Sequence, residues 1–302
     1  MRTDIKIKAS DKAQLCGYIW KNEDTPVTKI VIIAHGMAEH IERYERFANH
    51  LVEAGFMVIG YNQRGHKDTT PKEEIGYMGD NVNNFDILVS DYHDVVMYAA
   101  GQYPNALRYG FGHSMGSFVL NRYIQLYNDL NKVVLCGTGK NPTLVLNFGM
   151  CFVSFLSIFK GKRYSSKLVD DMSFGAYNKK FKPNRTEFDW LNTVDEEVDK
   201  YIEDEYCGGI FSLKYFHDFF KGMKKITKNQ KHISNDLPIL LISGGADPVG
   251  NMGKGPTQVY NNLKKNNCKA ELKLIPGERH EILLEKSSEQ THQFIINWYN
   301  KQ

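Results

Sequence analysis

The sequence lacks the cysteine pattern of a disulfide-stapled or zinc-binding protein. Its 302 residues hold 5 cysteines, an odd number, and no Cys-x-x-Cys pair occurs. The 10 histidines likewise show no pair at the spacing of a metal site. We therefore expect reduced thiols, a cytoplasmic location and no metal or organic cofactor.

An excess of charge of one sign is also missing. The chain has 38 Lys and Arg against 35 Asp and Glu, which gives a net charge of +3. Nucleic-acid-binding proteins concentrate positive charge on one face, so nucleic acid is not among the expected partners. Hydrophobic residues make up 42% and charged residues 24%, which is ordinary for a globular protein and excludes a disordered chain. This composition indicates no particular oligomeric state.

No hydrophobic run reaches the roughly 20 residues that a membrane-spanning helix needs. The longest, residues 144–159, is interrupted by Asn147, Gly149 and two serines. Residues 1–10 alternate isoleucine with lysine and lack the apolar region of a signal peptide. We interpret residues 144–159 as a helix of a soluble protein that can touch a membrane surface transiently.

Strands alternate with helices along most of the chain. The β-branched run Lys29–Ala34 is typical of a strand buried on both faces of a parallel sheet. The first two predicted strands form a hairpin, and the others are separated by amphipathic helices. The predicted strands are 3–9, 14–20, 29–34, 56–61, 107–112, 132–136, 238–243 and 270–275; the predicted helices are 44–54, 85–103, 117–127, 144–159, 257–265 and 288–299. This order predicts an α/β fold with a mostly parallel sheet and helices on both faces.

The alternation stops between Gly137 and Leu237. This stretch contains the apolar run, an acidic segment at 195–205 and an aromatic, lysine-rich segment at 215–231. We predict an inserted, mainly helical cap at residues 138–232. It divides the core into a first part, residues 1–137, and a second part, residues 233–302.

Residues 112–116, Gly-His-Ser-Met-Gly, fit the pattern Gly-x-Ser-x-Gly. A predicted strand leads into the motif and a predicted helix leaves it, which is the setting of a nucleophile elbow. The two glycines let the backbone turn sharply and lift the serine hydroxyl above the sheet edge. We predict that Ser114 is a catalytic nucleophile.

A serine hydroxyl needs a base to accept its proton and an acid to orient that base. Asp247 and His280 each follow the end of a predicted strand and come after the serine, in the order Ser, Asp, His. Open α/β sheets place their sites at the carboxyl ends of the strands. We predict that Asp247 orients His280 and that His280 acts as general base and then as general acid.

An oxyanion hole completes such a site. One donor is the amide after the nucleophile, here Met115, and the second comes from the loop after an early central strand. Residues 35–40, His-Gly-Met-Ala-Glu-His, form that loop. We predict the backbone N–H groups of Met37 and Met115 as the donors.

These motifs together resemble an α/β-hydrolase of the monoacylglycerol lipase and lysophospholipase group, also described as serine aminopeptidase-like. The resemblance rests on the motifs above together with residues 61–66 (Tyr-Asn-Gln-Arg-Gly-His), 244–249 (Gly-Gly-Ala-Asp-Pro-Val) and 278–283 (Glu-Arg-His-Glu-Ile-Leu). Residues 188–199 of the predicted cap resemble bacterial members. The resemblance covers nearly the whole chain and implies an α/β-hydrolase fold.

The activity that the resemblance implies is hydrolysis of a small lipid ester, a monoacylglycerol or a lysophospholipid, through an acyl-enzyme on Ser114. Two enzymatic alternatives remain open. An iminopeptidase-type aminopeptidase would use carboxylates from residues 195–205, and an acyltransferase would use the same triad while excluding water. A non-enzymatic relative would be expected to have a broken triad, whereas here all three residues are present.

The apolar run 144–159 is predicted to form a lid over an acyl-binding tunnel. Each buried CH₂ group contributes about 0.8 kcal/mol, so an apolar helix beside the nucleophile suits an acyl chain. Phe148, Phe152 and Phe155 are the predicted acyl-binding residues of this lid. Lys160, Lys162 and Arg163 at its end would favour a lipid surface.

Overall fold

The protein is described by a computed structural model that covers residues 1–301, with all side chains in that range except those of residues 228 and 229. One eight-stranded sheet runs through it in the order β1-β2-β4-β3-β5-β6-β7-β8. The strands are β1 Arg2–Lys8, β2 Gln14–Trp20, β3 Lys29–Ala34, β4 Met57–Tyr61, β5 Leu107–His113, β6 Lys132–Cys136, β7 Ile239–Gly244 and β8 Ala270–Ile275. All eight predicted strands are thereby confirmed, with ends that differ by at most one residue.

The sheet is parallel except at one edge. β4, β3, β5, β6, β7 and β8 pair in parallel, whereas β1 and β2 form the predicted hairpin and β2 pairs with β4 antiparallel. Residues 30–34 of β3 have no exposed surface, as expected for an apolar strand covered on both faces. The predicted α/β-hydrolase fold class is confirmed.

Ten helices accompany the sheet in the described residues. They are α1 Glu45–Glu53, α2 Asn84–Gln102, α3 Met115–Tyr123, α4 Thr143–Lys160, α5 Lys167–Asp170, α6 Ala176–Asn178, α7 Asp195–Glu203, α8 Leu213–Asn229, α9 Lys254–Lys265 and α10 Ser288–Asn300. α3 begins two residues earlier than predicted. The reason is that the Ser114 carbonyl accepts hydrogen bonds from the N–H groups of Ser117 and Phe118, so helical bonding starts directly after the elbow.

Helices cover both faces of the sheet. Phe47 and Leu51 of α1 pack with Ile295 and Trp298 of α10 on one face. The other face carries the apolar sides of α2, α3 and α9. The two layers bury the central strands, so the strand ends and the loops that follow them are left to form a site.

The segment between β6 and β7 carries five of the helices, α4 to α8. Within it, Trp190, Leu191 and Tyr201 form a small apolar cluster of their own with surrounding aromatic rings. We call the segment between β6 and β7 the cap. Its predicted bounds as a separate subdomain, residues 138–232, stay a prediction.

α4 is the apolar helix predicted at 144–159. It packs against α8, and only Leu146 and Val153 are fully buried. By length and composition this 18-residue helix could cross a membrane, with a mean hydropathy of 1.7, and 11% of it is buried. Its solvent-exposed large apolar side chains are Leu144, Phe155, Ile158 and Phe159, which we call its outer face, together with Val145 and Phe148, which also border a cavity.

Candidate active site

Ser114 lies at a sharp turn between β5 and α3. Its φ of 50° and ψ of −117° form a conformation that side chains with a Cβ rarely adopt. The flanking glycines are required by close backbone approach. A Cβ at Gly116 would lie 2.0 Å from the Ala34 carbonyl oxygen, and a Cβ at Gly112 would lie 2.4 Å from the Gly116 carbonyl oxygen. The serine is therefore presented by a strained backbone that only this glycine pattern permits.

His280 and Asp247 lie side by side in loops after β8 and β7. The His280 Nδ1 atom is 3.0 Å from the Asp247 Oδ2 atom, and both side chains are buried. The distance is that of a hydrogen bond, while the ring N–H is not aligned on the oxygen. Such misalignment is common in a catalytic site without substrate. The other carboxylate oxygen, Oδ1, accepts a hydrogen bond from the Val249 N–H at 2.8 Å, which holds the acid in place.

The structure brings the predicted site residues to one cavity. Ser114, His280 and Met37 line its narrow part, and Met115 joins Ser114 and Met37 in its wider part. Asp247 lies behind His280. All five residues predicted for the chemistry thus converge at the carboxyl ends of the strands.

In the part of the chain that the structure describes, the amides on either side of Met37 in the oxyanion loop, residues 35–40, are occupied and the Met37 amide is not. The N–H of Gly36 donates to Glu39 Oε1 at 2.5 Å, and the N–H of Ala38 donates to His66 Nε2 at 3.2 Å. Among the described residues, Met37 N–H has no such partner. Met115 is the first residue of α3, where amides lack a partner inside the helix. Two free amides therefore border the serine.

A buried charge network lies beneath His280, and the sequence analysis did not assign it a role. His113 Nδ1 lies 3.1 Å from Glu39 Oε1, and His113 Nε2 lies 3.2 Å from the His280 carbonyl oxygen. Both partners are acceptors, so a ring that donates from both nitrogens, the imidazolium form of His113, satisfies both contacts. Burial alone would lower the pKa of His113, but the Glu39 carboxylate raises it above the usual value. Arg43 joins Glu39 to Glu281.

The wide lobe of the cavity is apolar and encloses about 310 Å³. α4, α8 and residues 169–177 form most of its walls, and Ser114 borders it at the end of β5. The aromatic lining consists of Phe118, Phe148, Phe152, Phe174, Tyr177, Phe216, Phe219 and Phe220. Two of the three predicted lid residues, Phe148 and Phe152, line this lobe. Phe155 does not line it, because it lies on the outer face of α4, 57% exposed and packed against Phe159.

The narrow lobe on the other side of Ser114 is more polar. Three carboxylates border it, those of Asp170, Glu39 and Glu281, together with the rings of Trp190, Phe174 and Phe188. Glu39 and Glu281 are paired with Arg43, which leaves Asp170 as the carboxylate without an arginine there. Burial raises the pKa of Asp170 to about 6.

The acidic residues predicted to serve an aminopeptidase are placed elsewhere. α7 contributes only Tyr201 to the narrow lobe, while Asp195 and Asp199 of this helix pair with Arg185 on the surface. Asp170 was not singled out from the sequence, because an aspartate in a mixed segment has no spacing signal. Its position is set by how the cap folds back over Ser114.

Comparison with known proteins places these features in a family. The sequence profile of the family described as serine aminopeptidase, S33, matches residues 25–287. The crystal structure of a highly thermostable carboxyl esterase from Bacillus coagulans, in complex with glycerol, is similar to this chain with a TM-score of 0.89. It is 24% identical, and the similarity covers 99% of this chain and 98% of that one. At this identity the likeness shows the fold.

Two relatives in sequence are lipases. A monoacylglycerol lipase of Mycolicibacterium smegmatis is 31% identical over 124 residues, 41% of this chain and 42% of that protein. A monoglyceride lipase of Rattus norvegicus is 23% identical over 250 residues, 80% of this chain and 72% of that protein. The first alignment spans less than half of the relative's length. The chain belongs to the serine aminopeptidase S33 family, as an α/β-hydrolase of the monoacylglycerol lipase group, and is an ester hydrolase.

Proposed function

We propose that this protein is a serine hydrolase that cleaves the ester of a monoacyl lipid, a monoacylglycerol or a lysophospholipid. The observation that carries the proposal is the apolar lobe of about 310 Å³ that ends at Ser114. Its volume lies within the range of small-molecule pockets, and its lining is mostly aromatic and aliphatic. A single acyl chain suits this lobe, while a polar alcohol suits the narrow lobe beyond the serine.

In the proposed reaction, the Ser114 hydroxyl attacks the ester carbonyl carbon while His280 takes the hydroxyl proton. The oxygen of the tetrahedral intermediate accepts hydrogen bonds from the amides of Met37 and Met115. His280 then gives the proton to the leaving alcohol, and the acyl chain stays on Ser114. Water, deprotonated by His280, releases the fatty acid by the same steps, and Asp247 stabilises the charged imidazole throughout.

The lobe predicts how activity depends on chain length. Each CH₂ that enters an apolar cavity contributes about 0.8 kcal/mol, which corresponds to roughly fourfold in kcat/KM. We expect kcat/KM for monoacylglycerols to rise with each added methylene until the lobe is full and then to level off. A short-chain esterase without a binding lobe would show no rise.

A substrate panel tests the proposal. It contains p-nitrophenyl esters and monoacylglycerols of increasing chain length, lysophospholipids and aminoacyl amides, each assayed with excess water and with an added acceptor alcohol. Release of free fatty acid with a rising chain-length profile supports lipid hydrolysis. Preferential cleavage of aminoacyl amides would assign an aminopeptidase instead, and formation of a new ester in preference to fatty acid would assign an acyltransferase.

A fluorophosphonate probe tests the serine separately. We expect it to label the wild-type protein once and to leave Ser114→Ala unlabelled, with turnover lowered by a factor on the order of 10⁶. Labelling that persists in Ser114→Ala would move the nucleophile to another residue.

We also propose that the outer face of α4 rests on a membrane surface rather than crossing the membrane. The face is apolar, and Lys160 at the end of α4, with Lys162 and Arg163 just after it, supplies positive charge that suits anionic headgroups. Sedimentation with anionic vesicles should carry down wild type and leave Phe155→Asp in solution. A cytoplasmic location stays a prediction, in keeping with five cysteines that form no disulfide.

A further inference from the structure

Three side chains that bind metals in other proteins meet where the cap contacts the oxyanion loop. His40 ends that loop, and Asp204 and Cys207 lie in the loop that follows α7. One ligand atom from each, an imidazole nitrogen, a carboxylate oxygen and a thiol sulfur, lies within 4.8 Å of the other two. None of the three has a part in the proposed ester hydrolysis.

We propose that His40, Asp204 and Cys207 form a binding site for Zn²⁺. Imidazole, carboxylate and thiolate are the three side-chain ligands that Zn²⁺ takes in proteins. The mixture also separates Zn²⁺ from the harder cations Mg²⁺ and Ca²⁺, which prefer oxygen ligands alone. Three protein ligands leave the fourth tetrahedral position to water.

The surroundings of His40 support this site independently of the three ligand atoms. Its Nε2 atom is 2.7 Å from Asp204 Oδ2, and its Nδ1 atom is 3.7 Å from Glu42 Oε2. The ring is buried, yet Nδ1 has no hydrogen-bond partner among the described residues. Metal-binding histidines almost always direct their second nitrogen to a carboxylate, a backbone carbonyl or water, which fixes the ring and its tautomer. Glu42 stands in that position.

When Zn²⁺ binds, one bond between the metal and sulfur forms and one proton is released to solvent. A cysteine binds Zn²⁺ as the thiolate, so the proton of the Cys207 thiol leaves when the ion binds. Zn²⁺ displaces that proton, and the thiolate becomes the ligand. As a zinc ligand the imidazole coordinates through Nε2 and carries its one proton on Nδ1, which faces Glu42. Asp204 supplies a carboxylate oxygen, Oδ2, which lies 2.7 Å from His40 Nε2.

The three ligand atoms need to move only a short distance to bind one ion. Bonds of about 2.0–2.3 Å from a tetrahedral ion place its ligand atoms about 3.3–3.8 Å apart. Atoms up to 4.8 Å apart must therefore approach by about 1 Å, while the His40–Asp204 pair opens to admit the ion. Asp204 and Cys207 lie between α7 and α8, outside regular helix, where such an adjustment is possible.

Neighbouring cations are already neutralised and so do not oppose a metal ion. Arg43 is bonded to the carboxylates of Glu39 and Glu281. Lys67 is bonded to Glu42. The site with its thiolate and Asp204 then carries two negative charges for a doubly charged cation.

The ion would join two segments that already meet. Gly208 N–H and Tyr201 O–H both donate to the carbonyl oxygen of Ala38, at 3.0 and 2.8 Å. Ala38 follows Met37, the proposed oxyanion donor. A bound ion would therefore fasten the cap loop to the oxyanion loop and raise the stability of the folded state.

The test uses untagged, chelator-treated full-length protein, titrated with Zn²⁺ by calorimetry and with Co²⁺ by absorbance. We expect one equivalent of Zn²⁺ to bind with release of a proton, and Co²⁺ to give a sulfur-to-metal charge-transfer band in the near ultraviolet. Cys207→Ser should abolish the band. Glu42→Gln should weaken Zn²⁺ binding about 10-fold to 100-fold while keeping the band. Cys151→Ser, which alters an exposed thiol on α4, is the matched control and should behave as wild type.

Three outcomes would overturn the proposal. They are the absence of binding at concentrations on the order of 1 mM, equal Zn²⁺ affinity in wild type and Cys207→Ser, and a cobalt band that Cys151→Ser removes instead. Circular dichroism of each metal-free variant checks folding. If Cys207→Ser does not fold, His40→Gln decides, because it leaves the thiol intact and should lower Zn²⁺ affinity at least tenfold. Each measurement is independent of esterase activity, so it stands whether or not the substrate proposal holds.

Discussion

Replacing Ser114 with glycine should make the protein inactive and at the same time more stable than the corresponding alanine variant. Both substitutions remove the hydroxyl. Only glycine also removes the Cβ atom that conflicts with a φ of 50° and a ψ of −117°. The comparison therefore separates the strain of the elbow from the loss of the nucleophile.

The size of the effect follows from two opposing terms. A non-glycine residue in a sparsely populated backbone conformation costs about 1–3 kcal/mol. Glycine in turn loses more conformational entropy on folding than alanine, which costs about 0.5–1 kcal/mol. Ser114→Gly should thus exceed Ser114→Ala by about 1 kcal/mol in the free energy of unfolding, or by about 2 °C in melting temperature.

Ser154 provides the matched control. It is an exposed serine in the middle of α4, where the backbone is helical and carries no such strain. At this position glycine should be less stable than alanine by about 1 kcal/mol, the opposite order. Urea unfolding of the four variants at 25 °C measures both differences. If glycine is the less stable residue at position 114 as well, the elbow stores no strain and the reasoning fails.

Three further predictions concern the acyl lobe, the acid Asp247 and the buried histidine His66. Phe152→Asp should raise KM for long-chain esters and change KM for short-chain esters little. Phe155→Asp, one turn along α4 and outside the lobe, should leave both KM values unchanged in detergent-free solution. Equal effects of the two variants would contradict the assignment of the lobe as the acyl-binding site. Asp247→Asn should lower kcat by a factor on the order of 10⁴ without unfolding the protein, and a loss below tenfold would place the acid elsewhere. Burial lowers the pKa of His66 to about 3, so only the unfolded state takes up this proton as the pH falls below about 6.5. As the pH falls from 6 to 4, wild type should therefore lose about 1.4 kcal/mol of unfolding free energy per pH unit that His66→Gln does not lose. If the unfolding free energies of the two proteins instead change in parallel with pH, His66 does not titrate this way.

The sheet and the elbow could be predicted because their signals are local. The β-branched run of β3 is typical of a strand covered on both faces, and residues 112–116 carry two glycines at the spacing that the close approach to Ala34 demands. Asp247 and His280 were found because parallel strands bring their carboxyl ends to one edge. Each of these inferences needs only a few neighbouring residues and the rules of parallel sheets.

The cap could be predicted only as a helical insertion. Which face of α4 lines the cavity depends on its packing against α8, some 70 residues further along the chain, and the sequence of α4 is apolar on every side. Phe152 and Phe155 were therefore equivalent in the sequence and are distinct in the structure. For the same reason Asp170 and the cluster of His40, Asp204 and Cys207 carry no sequence signal, because their neighbours come from distant segments.

Hydrogen bonds join the cap to the core beside His280, whereas α4, on the side of the apolar lobe, packs on another helix of the cap. This difference affects how a substrate can enter. Near the oxyanion loop, Arg279 donates to the carbonyl oxygens of Asp189 and Asn192, and the N–H of Glu281 donates to the Leu191 carbonyl oxygen at 2.8 Å. These bonds tie the cap to the same loop that holds His280, so movement there would disturb the site itself. α4 instead rests on α8, another helix of the cap, and turns an apolar face to the solvent. We therefore expect an acyl chain to enter under α4, because among the described residues no hydrogen bond joins that helix to the loop that holds His280.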